Sequence, residues 1–191
     1  MSDQRGESPV NLSVSTEDVD GHRVVSVRGE VDVYSAPTLR KCLQDSMDDQ
    51  HRDLIVHEDL APDVIAIFGQ LHLLGYPIAK IQTVDHYADA DDELSMEDNN
   101  TSAFNCRRIP ETNEWSPHAY GRAIDINTLI NPCLYASGYF EPQNAAAYLD
   151  RSRTDPGLLH NGDPAELVFA DRGWQWGGDW RAPDYQHFER P

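Results

Sequence analysis

The chain has 191 residues, of which 33 are acidic and 15 basic, so its formal net charge is −18. This length accommodates one well-packed domain with a small appendage but is cramped for two complete domains. The negative charge argues against nucleic acid and anionic lipid as partners, because both would be repelled. No stretch approaches the roughly 18 apolar residues of a membrane span, so a span is not expected.

The N-terminal residues lack the basic and then apolar run of a secretory signal. As encoded, the protein is expected to be cytoplasmic, and it would meet a cell wall only through another export route. The cysteines lie at 42, 106 and 133, at spacings that match no zinc-ribbon or redox motif. We interpret them as ordinary thiols, with Cys106 buried. A Cys106–Cys133 disulfide is the alternative, disfavoured without export features.

The first part of the chain predicts a β-hairpin followed by a helix. Apolar and polar residues alternate on both sides of a turn at Gly21. From Ala36 the apolar residues fall at helical spacing, and Pro37 suits a first helical turn.

Residues 28–40, which read RGEVDVYSAPTLR, resemble the opening of a STAS domain, the fold of anti-sigma-factor antagonists. The resemblance covers residues 10–56 and implies a partial STAS-like β-hairpin and helix that could bind a protein partner. A complete STAS domain would continue into a loop with a phosphorylatable serine, but here residues 53–56 lead directly into a different segment. The segment is therefore interpreted either as a partner-binding region or as the remnant of a fusion.

A second helix is predicted from Pro62 to its stop at Gly75, with a broad apolar face. The apolar residues between Ile78 and Val84 suggest a short strand. Residues 85–100 are rich in acids and poor in large apolar side chains, which predicts a solvated loop. Calcium binding there is disfavoured, because the loop lacks a central glycine and a bidentate glutamate at position twelve.

The strongest chemical signal is in residues 116–127, which read SPHAYGRAIDIN. As a strand after Gly121, this segment places Asp125 among small or polar neighbours on one face, while the flanking isoleucines pack into a core. Gly121 permits a close backbone approach, which helps to bring His118 and Asp125 to one point.

A second cluster, DYQHFE, occupies residues 184–189. A hydrolytic zinc site typically takes three protein ligands and leaves a fourth position for water, and His118, Asp125 and His187 supply such a set. Asp184 is a candidate for the base that takes a proton from the attacking water. In an ideal strand Asp184 and His187 would point to opposite faces, so their convergence requires Asp184 to lie in a loop, which Pro183 favours.

These two motifs resemble the D-alanyl-D-alanine carboxypeptidase family of zinc peptidases, which shares its metal-site plan with lysostaphin-like enzymes and the hedgehog signalling domain. The resemblance runs from about His57 to Phe188. It implies that zinc is held by His118, Asp125 and His187, and that the base is the acid at 184. The run NTSAFNCR, residues 100–107, also matches a subgroup in which an arginine lies beside the scissile carbonyl. The resemblance places Arg107 in that role, ahead of its neighbour Arg108, where it would stabilise an oxyanion.

Several of these residues also have simpler interpretations. Ser116 either orients His118 through a hydrogen bond or is only a turn residue. Arg107 could be an ion-pair partner in so acidic a chain. Trp174 is expected in the core, whereas Trp176 and Trp180 could each line a peptide groove or pack internally.

The overall prediction is an α+β protein with a partial STAS-like segment at 1–56 and a zinc peptidase domain at 57–191. That domain is expected to have a small antiparallel sheet with flanking helices around the zinc site. The resemblance implies short D-amino-acid-containing peptides of peptidoglycan as substrates, with carboxypeptidase and endopeptidase action both open. The alternative is a catalytically idle regulatory protein that acts through its STAS-like segment.

Overall fold

The computed structural model describes residues 12–19, 22–28, 41, 54–110 and 112–190. The chain divides into two compact units between His51 and Arg52. The predicted assignment of 1–56 and 57–191 to different functions stays a prediction.

In the first unit, strands β1 (Ser13–Val19) and β2 (His22–Arg28) form an antiparallel pair. This pair confirms the predicted β-hairpin. The predicted helix after Ala36 lies outside the described residues, except for Lys41, which is helical.

In the second unit, helix α1 (Ala61–Leu73) begins with proline in its first turn, as predicted. Its end at Gly75 also agrees with the prediction, since that glycine has a φ of +67°. The Gly75 N–H donates to the His72 carbonyl and the Tyr76 N–H to the Leu71 carbonyl, which is the Schellman arrangement that satisfies the last carbonyls of a helix.

The central sheet is antiparallel and has the strand order β5 (Ala123–Asp125), β9 (His187–Glu189), β8 (Gln175–Trp176). Ile124, Phe188 and Trp176 lie opposite one another across the three strands and are buried. Phe188 stacks on Phe169 of helix α3 (Pro164–Ala170), with ring centroids 3.9 Å apart. Burying each such side chain contributes roughly 1.5–3 kcal/mol, so this core fixes the sheet whose other face carries the site.

Shorter elements complete the unit. Strands β3 (Lys80–Ile81) and β4 (Asn100–Thr101) pair in parallel, whereas β6 (Cys133–Leu134) and β7 (Phe140–Glu141) pair antiparallel. The fold is thus a mixture of helices and small, mainly antiparallel sheets, in agreement with the predicted class. The predicted strand between 78 and 84 is shorter than expected. The remaining elements are helix α2 (Asp92–Glu97) and 3-10 turns at Glu58–Leu60, Val84–His86, Ala88–Ala90, Pro117–Tyr120, Gln143–Leu149 and Gly177–Asp179.

The prediction of a solvated loop over residues 85–100 was wrong. The stretch contains α2, whose Ser95 and Met96 are buried. Asp91 begins this helix by accepting a hydrogen bond from the Leu94 N–H at 3.1 Å, and acids in a first turn are favourable there. The acidic run is therefore a helix N-terminus as well as a charged surface. Among the described residues, no helix is long and apolar enough to cross a membrane.

Candidate metal centre and active site

His118 lies in the 3-10 turn Pro117–Tyr120, which Ser116 begins by accepting a hydrogen bond from the His118 N–H at 3.3 Å. Ser116 therefore positions His118 through the backbone of the turn. The turn ends at Gly121, which has a φ of +63°. A β-carbon at Gly121 would lie 2.7 Å from the backbone nitrogen of His57, so the close approach predicted for this glycine is to residues 56–57.

The two ring nitrogens of His118 face different partners. Nδ1 lies 2.6 Å from the Ala103 carbonyl oxygen, and since a carbonyl can only accept, Nδ1 carries the proton. Nε2 lies 3.1 Å from the carboxylate of Asp125 and 3.1 Å from Nδ1 of His187. The Ala103 contact thus leaves the Nε2 lone pair directed at these two residues.

Asp125 and His187 meet because they are directly opposite each other on β5 and β9. Opposed residues of an antiparallel pair share a face, and here an Asp125 oxygen lies 3.0 Å from His187 Nδ1. One ligand atom from each of His118, Asp125 and His187 lies within 4.8 Å of the others, and all three residues are buried. The structure thus brings together the three residues predicted as metal ligands.

The chemistry of this triad fits zinc. Two imidazole nitrogens and one carboxylate oxygen are ligands that zinc accepts, and three protein ligands leave a further position open. Burial alone would raise the pKa of Asp125, but the two histidines outweigh burial and hold it well below its usual range. Burial alone would lower the pKa of His187, but hydrogen bonds to Asp125 and Glu189 raise it to about 10. Both shifts therefore favour a protonated triad when no cation is bound.

Glu189 is a residue that the sequence analysis did not single out. Its carboxylate lies 3.2 Å from Nε2 of His187, the ring nitrogen that faces away from the triad. The sequence signal was available, since Glu189 follows His187 by two residues on a strand and such residues share a face.

Asp184 lies in the loop before β9, as predicted from the neighbouring Pro183. It forms an isolated antiparallel bridge with Cys133. The Leu134 N–H donates to the Pro183 carbonyl at 2.8 Å, and the Tyr185 N–H to the Pro132 carbonyl at 3.2 Å. These two bonds flank the bridged pair, which is the arrangement that brings opposed side chains closest.

The turn between Asp184 and His187 removes the geometric difficulty of their spacing. The His187 N–H donates to the Asp184 carbonyl at 3.3 Å, closing the turn. Gly177 packs against it: a β-carbon there would lie 2.7 Å from the Asp184 carbonyl oxygen, 3.1 Å from Asp184 Cβ and 3.3 Å from His187 Cβ. Asp184 and His187 therefore converge on one small residue, and only glycine fits at that position.

The Asp184 side chain lies in a protected environment. Burial raises its pKa to about 6, against the opposing effect of the positive charge on His187. Its Oδ1 is buried and has no hydrogen-bond partner among the described residues. The neighbouring Cys133 is a free thiol whose pKa is raised by burial and by Asp184, so it remains protonated beside the carboxylate. An available acceptor with this pKa suits a base that works near neutral pH.

For Arg107 the structure shows the ion pair, and the oxyanion role stays a prediction. Its guanidinium pairs with Asp92 at 2.8 Å, so it is an ion-pair partner. Burial alone would lower its pKa, but Asp92, Asp125 and Asp184 together raise it, which places a fixed positive charge near the triad and Asp184. Its neighbour Arg108 instead lies over the ring of Trp115, with its guanidinium carbon 4.4 Å from the ring centroid.

The three tryptophans considered from the sequence and Cys106 differ in how deeply they are buried. Trp176 is 6% exposed, belongs to the core and donates its indole N–H to the Tyr185 carbonyl at 2.9 Å. This packing replaces the groove role offered for it from the sequence. Trp174 is buried, as expected. Trp180 is 40% exposed and its ring centroid lies 5.3 Å from that of His187, so it is the tryptophan beside the site. Cys106 is exposed and free, contrary to the buried position expected for it.

Comparison with known proteins adds one match. Residues 110–190 match the family model described as D-alanyl-D-alanine carboxypeptidase. No curated protein and no solved structure matches the chain, and nothing supports the STAS-like resemblance of residues 10–56. The matched range contains the triad and Asp184, whereas Arg107 lies just before it. The match and the buried triad together indicate a hydrolase of the peptidase class, with a group able to bind a metal ion.

Proposed function

We propose that the second unit is a zinc-dependent peptidase that hydrolyses short, D-amino-acid-containing peptides of peptidoglycan. The observation that carries this proposal is the convergence of His118, Asp125 and His187 within 4.8 Å in a buried setting. The match of residues 110–190 to D-alanyl-D-alanine carboxypeptidases supports the substrate class. The geometry of the triad supports metal-dependent hydrolysis, and the family match supports a peptide as the substrate.

In this proposal His118, Asp125 and His187 hold the zinc ion. When bound, zinc supplies Lewis-acid chemistry, lowering the pKa of water and polarising a carbonyl group. Asp184 accepts the proton that the attacking water loses and then donates it to the leaving amine. With its pKa raised to about 6 by burial, the Asp184 carboxylate is a stronger base than an ordinary aspartate and is still largely ionised at neutral pH before the attack.

Arg107 stabilises the negative charge that develops on the carbonyl oxygen. Its side chain is already ordered by Asp92, so little reorganisation is needed as that charge forms. Preorganised positive charge is the kind of contribution that lowers a barrier most. Trp180, half-exposed beside His187, offers an apolar surface for a substrate side chain.

The test combines metal analysis with mass spectrometry of products from purified muropeptides. The protein is expected to contain one zinc ion per chain and to cleave these peptides. Release of a single C-terminal D-residue would identify a carboxypeptidase, and internal cleavage an endopeptidase. His118→Ala should lose both zinc and hydrolysis, whereas His72→Ala, at an exposed position on α1, should keep both. Zinc loss from the His118→Ala protein with hydrolysis unchanged would overturn the proposal.

A further inference from the structure

His118 and His187 present different ring nitrogens to the triad. His118 does so with Nε2, while its Nδ1 faces the Ala103 carbonyl. His187 does so with Nδ1, which lies 3.0 Å from Asp125 and 3.1 Å from His118. A neutral imidazole has one proton and one lone pair, so His187 can offer Nδ1 to a metal only if its proton is on Nε2.

The group next to Nε2 determines which ring nitrogen of His187 carries the proton. Glu189 is 3.2 Å from Nε2, and an ionised carboxylate accepts hydrogen bonds but donates none. Of the two neutral tautomers, only the one with a proton on Nε2 therefore satisfies the contact. For His118 the Ala103 carbonyl has the same effect on the opposite nitrogen, so each histidine, in its neutral form, directs its lone pair into the triad.

The sheet explains why Glu189 can reach His187. The two residues are separated by one position on β9, so their side chains share a face. The residue opposite Glu189 on β5 is Ala123, whose short side chain is fully buried. A larger residue at Ala123 would occupy the space alongside Glu189, whereas alanine lets the carboxylate lean along the strand towards the imidazole.

We infer that Glu189 is a positioning residue that selects the metal-binding tautomer of His187. The inference rests on the proposed function, because it assigns Glu189 a role towards the zinc ion proposed for the triad. Partners of this kind orient a metal-bound imidazole and increase its basicity, and losing one typically lowers metal affinity about 10–100-fold. Among the described residues, Glu189 reaches the triad through Nε2 of His187, so its effect on the metal is exerted through that imidazole.

The test measures zinc affinity by competition with a chromophoric chelator, independently of hydrolysis. Glu189→Ala should bind zinc about 10–100-fold more weakly than the unsubstituted protein. Glu189→Gln is nearly isosteric, and its amide oxygen can still accept from Nε2, so it should recover a substantial part of that loss. The matched control is Asp163→Asn, which alters another carboxylate at 3.2 Å from a histidine, His160, and should leave zinc affinity unchanged.

A spectroscopic measurement separates tautomer selection from a general structural role. In the zinc-loaded protein, the His187 Nε2 proton should give a protected NMR signal that persists in Glu189→Gln and exchanges rapidly with solvent in Glu189→Ala. Equal zinc affinity and an equally protected signal in folded Glu189→Ala would overturn the inference while leaving the proposed function intact. Failure of the unsubstituted protein to bind zinc would overturn both.

Discussion

The proposed metal ligands and the proposed catalytic pair are held in different ways. Asp125 and His187 face each other on paired strands, and the third ligand lies on a capped turn. Asp184 lies in a loop and Arg107 in a connecting segment. Each ligand is thus positioned by regular backbone geometry, whereas the catalytic pair depends on individual contacts with Asp92, Cys133 and Gly177.

This difference indicates that the two groups have different functions, one to hold a cation and the other to take part in proton transfer and charge stabilisation. The ring nitrogens of both histidines have partners, which suits groups that must hold a cation in a fixed geometry. Asp184 has a buried oxygen without a partner among the described residues, which suits a group that must accept a proton. If the ligands hold the metal and the catalytic pair acts only on the substrate, substitutions of Asp184 or Arg107 should reduce turnover without releasing zinc.

The largest effect is expected from Asp184→Asn, which keeps the shape of the side chain but cannot accept the proton. We expect kcat to fall by about 10²–10⁴-fold, the usual contribution of acid–base catalysis, with zinc content unchanged. Steady-state kinetics and metal analysis on the same preparation would check this. Loss of zinc from this variant would show that Asp184 belongs with the metal ligands, and the distinction between the two groups would fail.

A somewhat smaller effect is expected from Arg107→Gln. Removing a preorganised charge that stabilises an oxyanion typically costs about 10²–10³-fold in kcat. Because the interaction forms only as charge develops, kcat and kcat/KM should fall together, with KM little changed.

Arg108→Gln is the matched control for that variant. Arg108 lies over Trp115 and donates an exposed hydrogen bond to the Asn113 carbonyl, so its replacement should lower stability by about 1–2 kcal/mol and leave turnover unchanged. An equal loss of turnover in both variants would mean that only the total positive charge matters.

Gly177→Ala tests how firmly the loop must hold Asp184. The added methyl group would collide with the Asp184 carbonyl oxygen at 2.7 Å, and overpacking of this kind typically costs about 1–3 kcal/mol. Thermal unfolding should show the lower stability, and kcat should fall by more than zinc affinity does. Gly69→Ala, at an open position in α1, should instead be neutral or stabilising. Unaltered kcat in Gly177→Ala would show that the loop tolerates displacement.

The two groups also differed in how far the sequence could predict them. The convergence of His118 and Asp125 was predictable, because strand alternation and the placement of Gly121 constrain where they point, whereas His187 was added to them by the resemblance of the motifs to a peptidase family. The approach of Asp184 to His187 was not, since it depends on Gly177 and on the bridge to Cys133, both distant along the chain. Residues 85–100 were mispredicted because composition alone does not distinguish a solvated acidic loop from a capped helix N-terminus. Trp176 shows the same limit, since its burial depends on its neighbours across the sheet.

The smallest expected effect is the release of protons when zinc binds. The number of protons released tests whether a proton holds the triad together before the metal arrives. The pKa of His187 in the metal-free protein is raised to about 10. Protonated His187 therefore contributes to the free energy of unfolding. This contribution is fully present below the pKa of about 6.5 that histidine has in the unfolded chain, and it is lost as the pH rises through about 10. Zinc must displace this proton, so its affinity should increase with pH below about 10.

The count is best made at about pH 6 in the Asp184→Asn protein, so that the Asp184 carboxyl contributes nothing. Calorimetric titration with zinc in buffers of different ionisation enthalpy should give about one proton released per ion. A count near zero would mean that His187 is already neutral in the metal-free protein. The triad would then be preformed by packing alone, and the contrast between ligands positioned by regular backbone geometry and a catalytic pair positioned by individual contacts would be stronger than the electrostatics indicate.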